Sequence, residues 1–205
     1  RFRRRERRMG HLVLFVVDGS GSMGAQRRMV AVKGAVQSLL IDCYQRRDRV
    51  GLIVFRKDRA ELVLPPTRSV EMAGRRLATL PVGGKTPLAA GLLEAARVVE
   101  RARLREPETR VLMVVLSDGR ANHSLTGSKP LEEVRRAVGH LSAMPGLDVV
   151  VVDTEDKRSF HRTDLARALA TDLRATYSTI EDLAARDLVA LVRNARTDIR
   201  SAVGS

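Results

Sequence analysis

Short aliphatic runs alternate along the chain with longer stretches whose apolar residues recur at helical spacing. Each run is apolar at successive positions, without the in-and-out alternation of a half-exposed strand, which indicates a strand covered on both faces. Strands separated by helices are typical of a parallel sheet. The pattern therefore predicts an α/β fold with a doubly wound, mostly parallel central sheet and helices on both faces. The predicted strands are residues 12–17, 49–55, 110–116 and 147–153.

A further segment, residues 59–66, follows the second strand too closely for a helical crossover. Only the charged turn Arg56-Lys57-Asp58 separates the two. A connection this short joins antiparallel strands, and the prolines that close the segment are tolerated at a sheet edge. The segment is therefore predicted to be an antiparallel edge strand. A last short strand is predicted over residues 175–179.

Helical periodicity fills the stretches between and after these strands. The first helix is predicted from Ala25 to Gln45, where apolar residues form one stripe. Pro87 and Pro130 are predicted to lie in the first turns of two later helices, where proline is tolerated best. The stripe of the first helix consists of Val32, Val36, Leu39, Leu40 and Cys43. The other predicted helices are residues 69–79, 87–103, 130–143, 163–171 and 181–193.

The composition favours one compact domain. A chain of 205 residues with 44% hydrophobic side chains can bury one substantial core and is short for several. Aromatic residues make up 3% and tryptophan is absent, so Val, Leu, Ala and Met are predicted to build that core. We expect a basic lead-in segment over residues 1–10, the domain over residues 11–195 and a tail over residues 196–205.

The formal net charge is +13, which raises the question of a nucleic-acid partner. Six arginines and one glutamate in Arg1–Arg8 contribute +5, and the remaining arginines are scattered among acidic residues on predicted helices. Such scatter is typical of solvated helix faces and disfavours a nucleic-acid surface. Three interpretations of Arg1–Arg8 stay open: a solvated tail, an extended strand leading into the domain, and a contact with a partner or linker.

Cys43 is the single cysteine, so the chain can form neither an intrachain disulfide nor a thiolate zinc cluster. A reducing compartment fits this cysteine usage best. The longest apolar runs have the length of strands and fall far short of the ~20 residues of a membrane helix. We therefore expect a cytoplasmic protein that does not enter a membrane.

Oxygen-bearing side chains follow the ends of predicted strands. The first strand leads into Asp-Gly-Ser-Gly-Ser, the strand over 110–116 leads into Ser-Asp-Gly, and Gly-Gly-Lys-Thr-Pro precedes a helix. In a doubly wound sheet, ligands collect beyond the carboxyl ends of the strands where the strand order reverses. The three segments are therefore predicted to form one metal site. Its candidate residues are Asp18, Ser20, Ser22, Thr86 and Asp118.

Two carboxylates and three hydroxyls form a donor set for a hard cation. Short Ser and Thr side chains with water suit the near-octahedral demand of Mg²⁺, with Mn²⁺ or Ca²⁺ as alternatives. Because only two formal negative charges lie nearby, the ion would keep Lewis acidity, and an Asp or Glu carboxylate of a partner could complete its shell. The sequence thus predicts a metal-dependent protein contact.

These three segments together resemble the metal-ion-dependent adhesion site of von Willebrand factor A domains and integrin I domains. The resemblance covers about residues 11–195 and implies the Rossmann-like fold of that family. It implies Ser20, Ser22 and Thr86 as direct ligands, whereas Asp18 and Asp118 would act directly or through water.

A narrower resemblance is carried by CYQRRDRVGLIVF, LPPTRSVE, GGKTPLAAGL and LSDGRAN. These segments look like the carboxyl-terminal A domain of the D subunit of magnesium chelatase. That family implies an ATP-dependent complex, a ligase forming nitrogen–metal bonds, that inserts Mg²⁺ into protoporphyrin IX. It implies an AAA+ ATPase subunit and the large porphyrin-binding subunit as partners, and a non-catalytic role for this domain.

Short motifs argue against nucleotide binding and against hydrolase activity. Gly-Gly-Lys-Thr lacks the GxxxxGK[ST] spacing of a phosphate loop, and the absence of a GxSxG elbow disfavours a hydrolase.

Two alternatives to a magnesium chelatase stay open. One is the equivalent subunit of a cobaltochelatase in cobalamin synthesis, and the other is a generic A-domain adaptor of another ATPase.

Overall fold

The computed structural model describes residues 11–20, 29–30, 32–34, 37, 41, 48–79, 83–155 and 163–179. A six-stranded sheet in the order β3-β2-β1-β4-β5-β6 forms its centre. Every neighbouring pair is parallel except β2 and β3, which confirms the predicted sheet and its antiparallel edge strand. The strands are β1 His11–Asp18, β2 Arg49–Arg56, β3 Arg59–Thr67, β4 Arg110–Ser117, β5 Leu147–Asp153 and β6 Thr176–Thr179.

Both faces of the sheet are covered, as the unbroken aliphatic runs predict. Along β1, Leu12, Leu14 and Val16 belong to one buried cluster. Their neighbours Val13 and Phe15 belong to a second cluster on the other face. Because side chains alternate across a strand, a run apolar at every position serves two cores at once.

Four helices are fully described around this sheet. They are α1 Val70–Ala78, α2 Leu88–Arg105, α3 Pro130–Ser142 and α4 Leu165–Asp172. Pro130 is the first residue of α3, as predicted, but the prediction for Pro87 is wrong. Pro87 is the N-cap of α2, because its carbonyl accepts the bond from Gly91 N at 3.3 Å while its own backbone is not helical. The helix therefore begins at Leu88.

The first predicted helix is described only at scattered positions. Residues 29–30, 32–34, 37 and 41 are helical, and Met29 and Val32 are buried. The rest of that helix, the predicted helix over 181–193, the lead-in over 1–10 and the tail over 196–205 lie outside the described residues. None of the described helices has the length and apolar character needed to cross a membrane.

The order of the strands sets the place of the site. Strand β1 is flanked by β2 on one side and β4 on the other, so the chain fills one side of β1 with β2 and β3 before it crosses to the other side at β4. Because these strands are parallel, the ends of β1, β2, β4 and β5 all lie at one edge. This edge carries the segments singled out in the sequence, at the point where open α/β sheets bind ligands.

Candidate metal centre

Asp18 ends β1 and is 1% exposed. Its Oδ1 accepts a hydrogen bond from Ser20 N at 2.8 Å, which turns the chain immediately after the strand. Gly19 makes this turn fit, because a Cβ there would lie 2.7 Å from Val54 Cγ1. Gly19 N also donates to Phe55 O at 3.0 Å. The first loop is thus fixed to β2 as well as to β1, and Ser20 is buried beside Asp18.

The second loop is bonded to the first through the main chain. Gly83 N donates to Gly19 O at 2.7 Å. Gly83 and Gly84 adopt φ values of 117° and 105°, a region that side-chain-bearing residues rarely enter. This glycine pair turns the chain so that Thr86, 4% exposed, lies immediately before Pro87, the N-cap of α2.

The third loop is bonded to the second by a reciprocal pair. Thr86 N donates to Asn122 Oδ1 at 2.7 Å, and Asn122 N donates to Thr86 O at 3.3 Å. The carboxamide of Asn122 therefore takes up the amide of a predicted metal ligand. The described parts of the loops after β1, before α2 and after β4 are thus hydrogen-bonded to one another, although they are far apart in sequence.

Asp118 follows β4 and is the most exposed of the described site residues, with 16% of its side chain accessible. Its Oδ1 accepts a bond from Arg120 N at 2.9 Å. The guanidinium of Arg120 lies between two carboxylates, with Nε 3.6 Å from Asp118 Oδ2 and a terminal nitrogen 3.3 Å from Glu155 Oε1. Arg120 therefore supplies a positive charge beside the second predicted carboxylate.

Four of the five predicted ligands are described: Asp18, Ser20, Thr86 and Asp118. They lie on the three bonded loops at the carboxyl edge of the sheet, and Ser22 lies outside the described residues. Within the described ranges, no group of three or more His, Cys, Asp or Glu side chains is arranged to hold a metal. The donor chemistry here is different, with hydroxyls beside only two carboxylates, and it fits a hard cation such as Mg²⁺.

Sequence reasoning missed the residue that shapes the third loop. Glu133, on α3, accepts bonds from the amides of Leu125 and Thr126 at 2.7 and 2.8 Å. Its oxygens also accept bonds from the hydroxyls of Ser124, Thr126 and Ser128 at 2.9, 2.6 and 3.1 Å. The signal available in the sequence was a glutamate in the first turn of a helix that follows a Ser- and Thr-rich loop.

These bonds stabilise the charged form of Glu133. The hydroxyl of Thr126 contributes most and the amide of Leu125 follows, and together with the other donors they outweigh the opposing effect of burial. The pKa of Glu133 is lowered to about 2. The carboxylate is therefore ionised at neutral pH.

Replacing Glu133 with glutamine is expected to lower stability at neutral pH and to flatten its acid dependence. The pKa of Glu133 is lower in the folded chain than the ordinary value of 4.5, so its contribution is complete above that value and is lost as the pH falls toward about 2. Melting temperatures of both proteins should therefore converge in acid. Glu132→Gln, which removes the same charge from an exposed neighbour, should show no such convergence; a constant difference for Glu133→Gln would contradict the assignment.

Asp153 extends the same edge at the end of β5 and is held by local bonds. Its Oδ1 accepts from Glu155 N at 2.8 Å, and its Oδ2 accepts from Tyr177 Oη at 2.6 Å. Burial, and then the bond to Asp153, raises the pKa of Tyr177 to about 12. Tyr177 therefore remains a neutral donor, and Asp153 joins β5 to β6.

The chain belongs to the von Willebrand factor type A domain family, whose model matches residues 13–120. Solved structures agree at the level of the fold. The von Willebrand A domain of SpRpn10 superposes with a TM-score of 0.62 at 12% identity, over 88% of this chain and 94% of that one. BatB from Bacteroides thetaiotaomicron gives 0.63 at 18% identity, over 92% and 100%.

Proteins related to this chain in sequence include magnesium-chelatase subunits. The 67 kDa magnesium-chelatase subunit of Heliobacterium mobile is 37% identical, over 92% of this chain and 28% of that protein. Rv2850c of Mycobacterium tuberculosis is 51% identical over 92% of this chain and 29% of its own length. MJ0910 of Methanocaldococcus jannaschii is 41% identical over 78% and 91%. The chain thus spans less than a third of the first two relatives and most of the third.

Proposed function

We propose that this chain is the metal-ion-dependent protein-interaction domain of a magnesium-chelatase D-type subunit. In this proposal Mg²⁺ is held by Asp18, Ser20, Ser22, Thr86 and Asp118. The observation that carries it is the hydrogen bonding between the three loops. The bond from Gly83 N to Gly19 O and the reciprocal Thr86–Asn122 pair, in which the Asn122 side chain accepts one bond, bring the described donors to one edge. The identity to magnesium-chelatase subunits supports the same assignment.

The carboxylates and the hydroxyls of the candidate site would have different roles at a bound Mg²⁺. Asp18 and Asp118 supply two negative charges, whereas the hydroxyls of Ser20 and Thr86 are neutral donors. A bound Mg²⁺ would keep net positive charge and attract an anionic oxygen. An Asp or Glu side chain of a partner is the group that this arrangement fits, and Asp118 lies at the accessible side of the site.

The assembly proposed for this domain is an ATP-dependent complex in the cytoplasm that inserts a metal into a porphyrin. The partners would be an AAA+ ATPase subunit and the large porphyrin-binding subunit. The domain itself would position them without carrying out the insertion. The equivalent role in a cobaltochelatase would use the same site, because the inserted metal is handled elsewhere in the complex.

A second candidate, a generic A-domain adaptor of another ATPase, is favoured by one observation. MJ0910 matches this chain over 91% of its own length, so a protein of about this size need not carry the remainder of a chelatase subunit. Such an adaptor would keep the metal site and differ only in its partner.

The test is capture of the candidate partners by the immobilised domain in Mg²⁺ and in EDTA. Purified ATPase and porphyrin-binding subunits from the source organism should be retained with Mg²⁺ and released by EDTA. Retention that is equal in both buffers would refute the metal-dependent contact. Failure of both subunits to bind, while another ATPase binds in Mg²⁺ only, would establish the adaptor instead.

A further inference from the structure

A cluster of cations lies on the β2–β3 hairpin beside the candidate metal centre. Arg56 and Arg59 are directly opposite each other across the two strands. Like charges in that position destabilise a hairpin. Among the described residues neither arginine forms a salt bridge, and the same holds for Lys57 and Lys85. We call Arg56, Lys57, Arg59 and Lys85 the basic hairpin cluster.

The turn of the hairpin carries a second unfavourable feature. Lys57 has a φ of 59°, a left-handed conformation that is costly for a residue with a long side chain. Glycine or asparagine would fit this position with less strain. A like-charged cross-strand pair and a strained lysine at the same tip both oppose stability, so stability does not account for these cations.

The cluster is fixed to the loops of the metal centre. Lys57 N donates to Lys85 O at 2.9 Å, and a Cβ on Gly84 would lie 2.6 Å from Lys57 Cγ. On the other side, a Cβ on Gly19 would lie 3.5 Å from both Cβ and Cδ of Arg56. The cations therefore border the two loops that carry Asp18, Ser20 and Thr86.

The net charge of the basic hairpin cluster and its two nearby carboxylates, Asp58 and Glu61, is positive. Asp58 and Glu61 lie in the same hairpin, and Glu61 lines a small hollow with Val54, Arg56, Lys57 and Arg59. Neither carboxylate is paired with a cation of the cluster among the described contacts. Four positive charges are thus set against two negative ones, and Lys57, Arg59 and Lys85 are exposed.

An acidic polypeptide fits this surface better than a nucleic acid. Single-stranded nucleic acids are bound with aromatic side chains on which bases stack, and the only aromatic residue of the hairpin, Phe55, is fully buried. A polypeptide with several carboxylates could place one near the metal centre and others on the hairpin.

We propose that the basic hairpin cluster is a docking surface for an acidic segment of the partner polypeptide. The location of that segment rests on the proposed function, since the segment continues from the carboxylate at the metal. The contribution of the hairpin is independent of the ion, because its cations act by charge alone.

The test measures binding of a fluorescein-labelled peptide of alternating glutamate and serine by fluorescence anisotropy, in Mg²⁺ and in EDTA. The variant Lys57→Asn/Arg59→Thr removes two charges with residues suited to the turn and the strand. It is expected to weaken binding about tenfold in both buffers, as two exposed charge contacts would. A charge-retaining variant, Lys57→Arg/Arg59→Lys, should bind like the parent chain.

A matched control removes two exposed arginines from the other end of the molecule. Arg101→Gln/Arg105→Gln lies in the last turns of α2, roughly 20 Å along the helix from the site edge. It should change affinity less than twofold, and circular dichroism should show all variants folded. Equal losses in both double variants would overturn the proposal, and so would tighter binding of a labelled single-stranded DNA than of the peptide.

Comparing the affinities in Mg²⁺ and in EDTA distinguishes the docking surface from the metal-dependent contact. A hairpin variant that loses affinity while EDTA has no effect would support the docking surface and refute the metal-dependent contact. Release of the peptide by EDTA, with no loss of affinity in the hairpin variant, would support the metal-dependent contact and refute the docking surface.

Discussion

Replacing Asp18 with alanine is expected to lower Mg²⁺ affinity by more than about 100-fold, beyond the effect typical of residues that merely support a metal ligand. The residue is 1% exposed at the end of β1, so alanine there would leave its place in the donor set without a side-chain oxygen. Its removal also takes one of only two negative charges from the donor set. Calorimetric titration with MgCl₂ measures the loss, and capture of the partner subunits should fail in parallel.

The control for Asp18→Ala is Asp148→Ala. Asp148 lies near the opposite end of the sheet, on β5 and paired with Leu112, and its loss changes the net charge by the same amount. It should leave Mg²⁺ affinity unchanged. Circular dichroism in EDTA should show the sheet intact in both variants. Unaltered Mg²⁺ binding by a folded Asp18→Ala protein would place the metal site elsewhere.

The second large effect is expected at Asn122, whose hydrogen bonds to the described part of the site both go to Thr86. Asn122→Ala removes the acceptor for Thr86 N, now bonded at 2.7 Å, and leaves that amide without its partner. Thr86 would then be free to shift relative to the first and third loops. Residues that orient a metal ligand typically contribute 10- to 100-fold to affinity, and we expect a loss of about that size in calorimetric titration.

Asn122→Asp tests whether the hydrogen bond is the cause. Aspartate keeps an acceptor oxygen for Thr86 N and adds a negative charge, so Mg²⁺ affinity should be kept or increased. If Asn122→Ala and Asn122→Asp weaken binding equally, the position of Thr86 does not depend on this bond.

The sheet was predictable because its signals are local. An unbroken aliphatic run such as residues 12–17 identifies a strand covered on both faces without knowledge of its neighbours, and the short turn after Arg56 sets the antiparallel direction of β3. Pro87 was placed one residue wrong for the opposite reason. Proline is compatible with both the N-cap and the first turn, so the local sequence does not decide at which residue the helix begins.

The sequence predicts the candidate ligands, which stay a prediction, but it does not predict the residues that support them. Asp18, Thr86 and Asp118 stand out because oxygen-bearing residues follow strands or precede a helix. The roles of Asn122 and Arg120 depend on which loops become neighbours, and no local pattern states that. The opposition of Arg56 and Arg59 likewise follows from the register of β2 and β3.

The bonds from Gly83 to Gly19 and between Thr86 and Asn122 bear on the thermodynamics of metal uptake. Because backbone groups and the Asn122 side chain already join the described parts of the three loops, an arriving ion would order little of those parts. Its binding entropy would then come chiefly from water released by the ion and the oxygens. The heat capacity change should be small, and metal would raise the melting temperature by mass action alone.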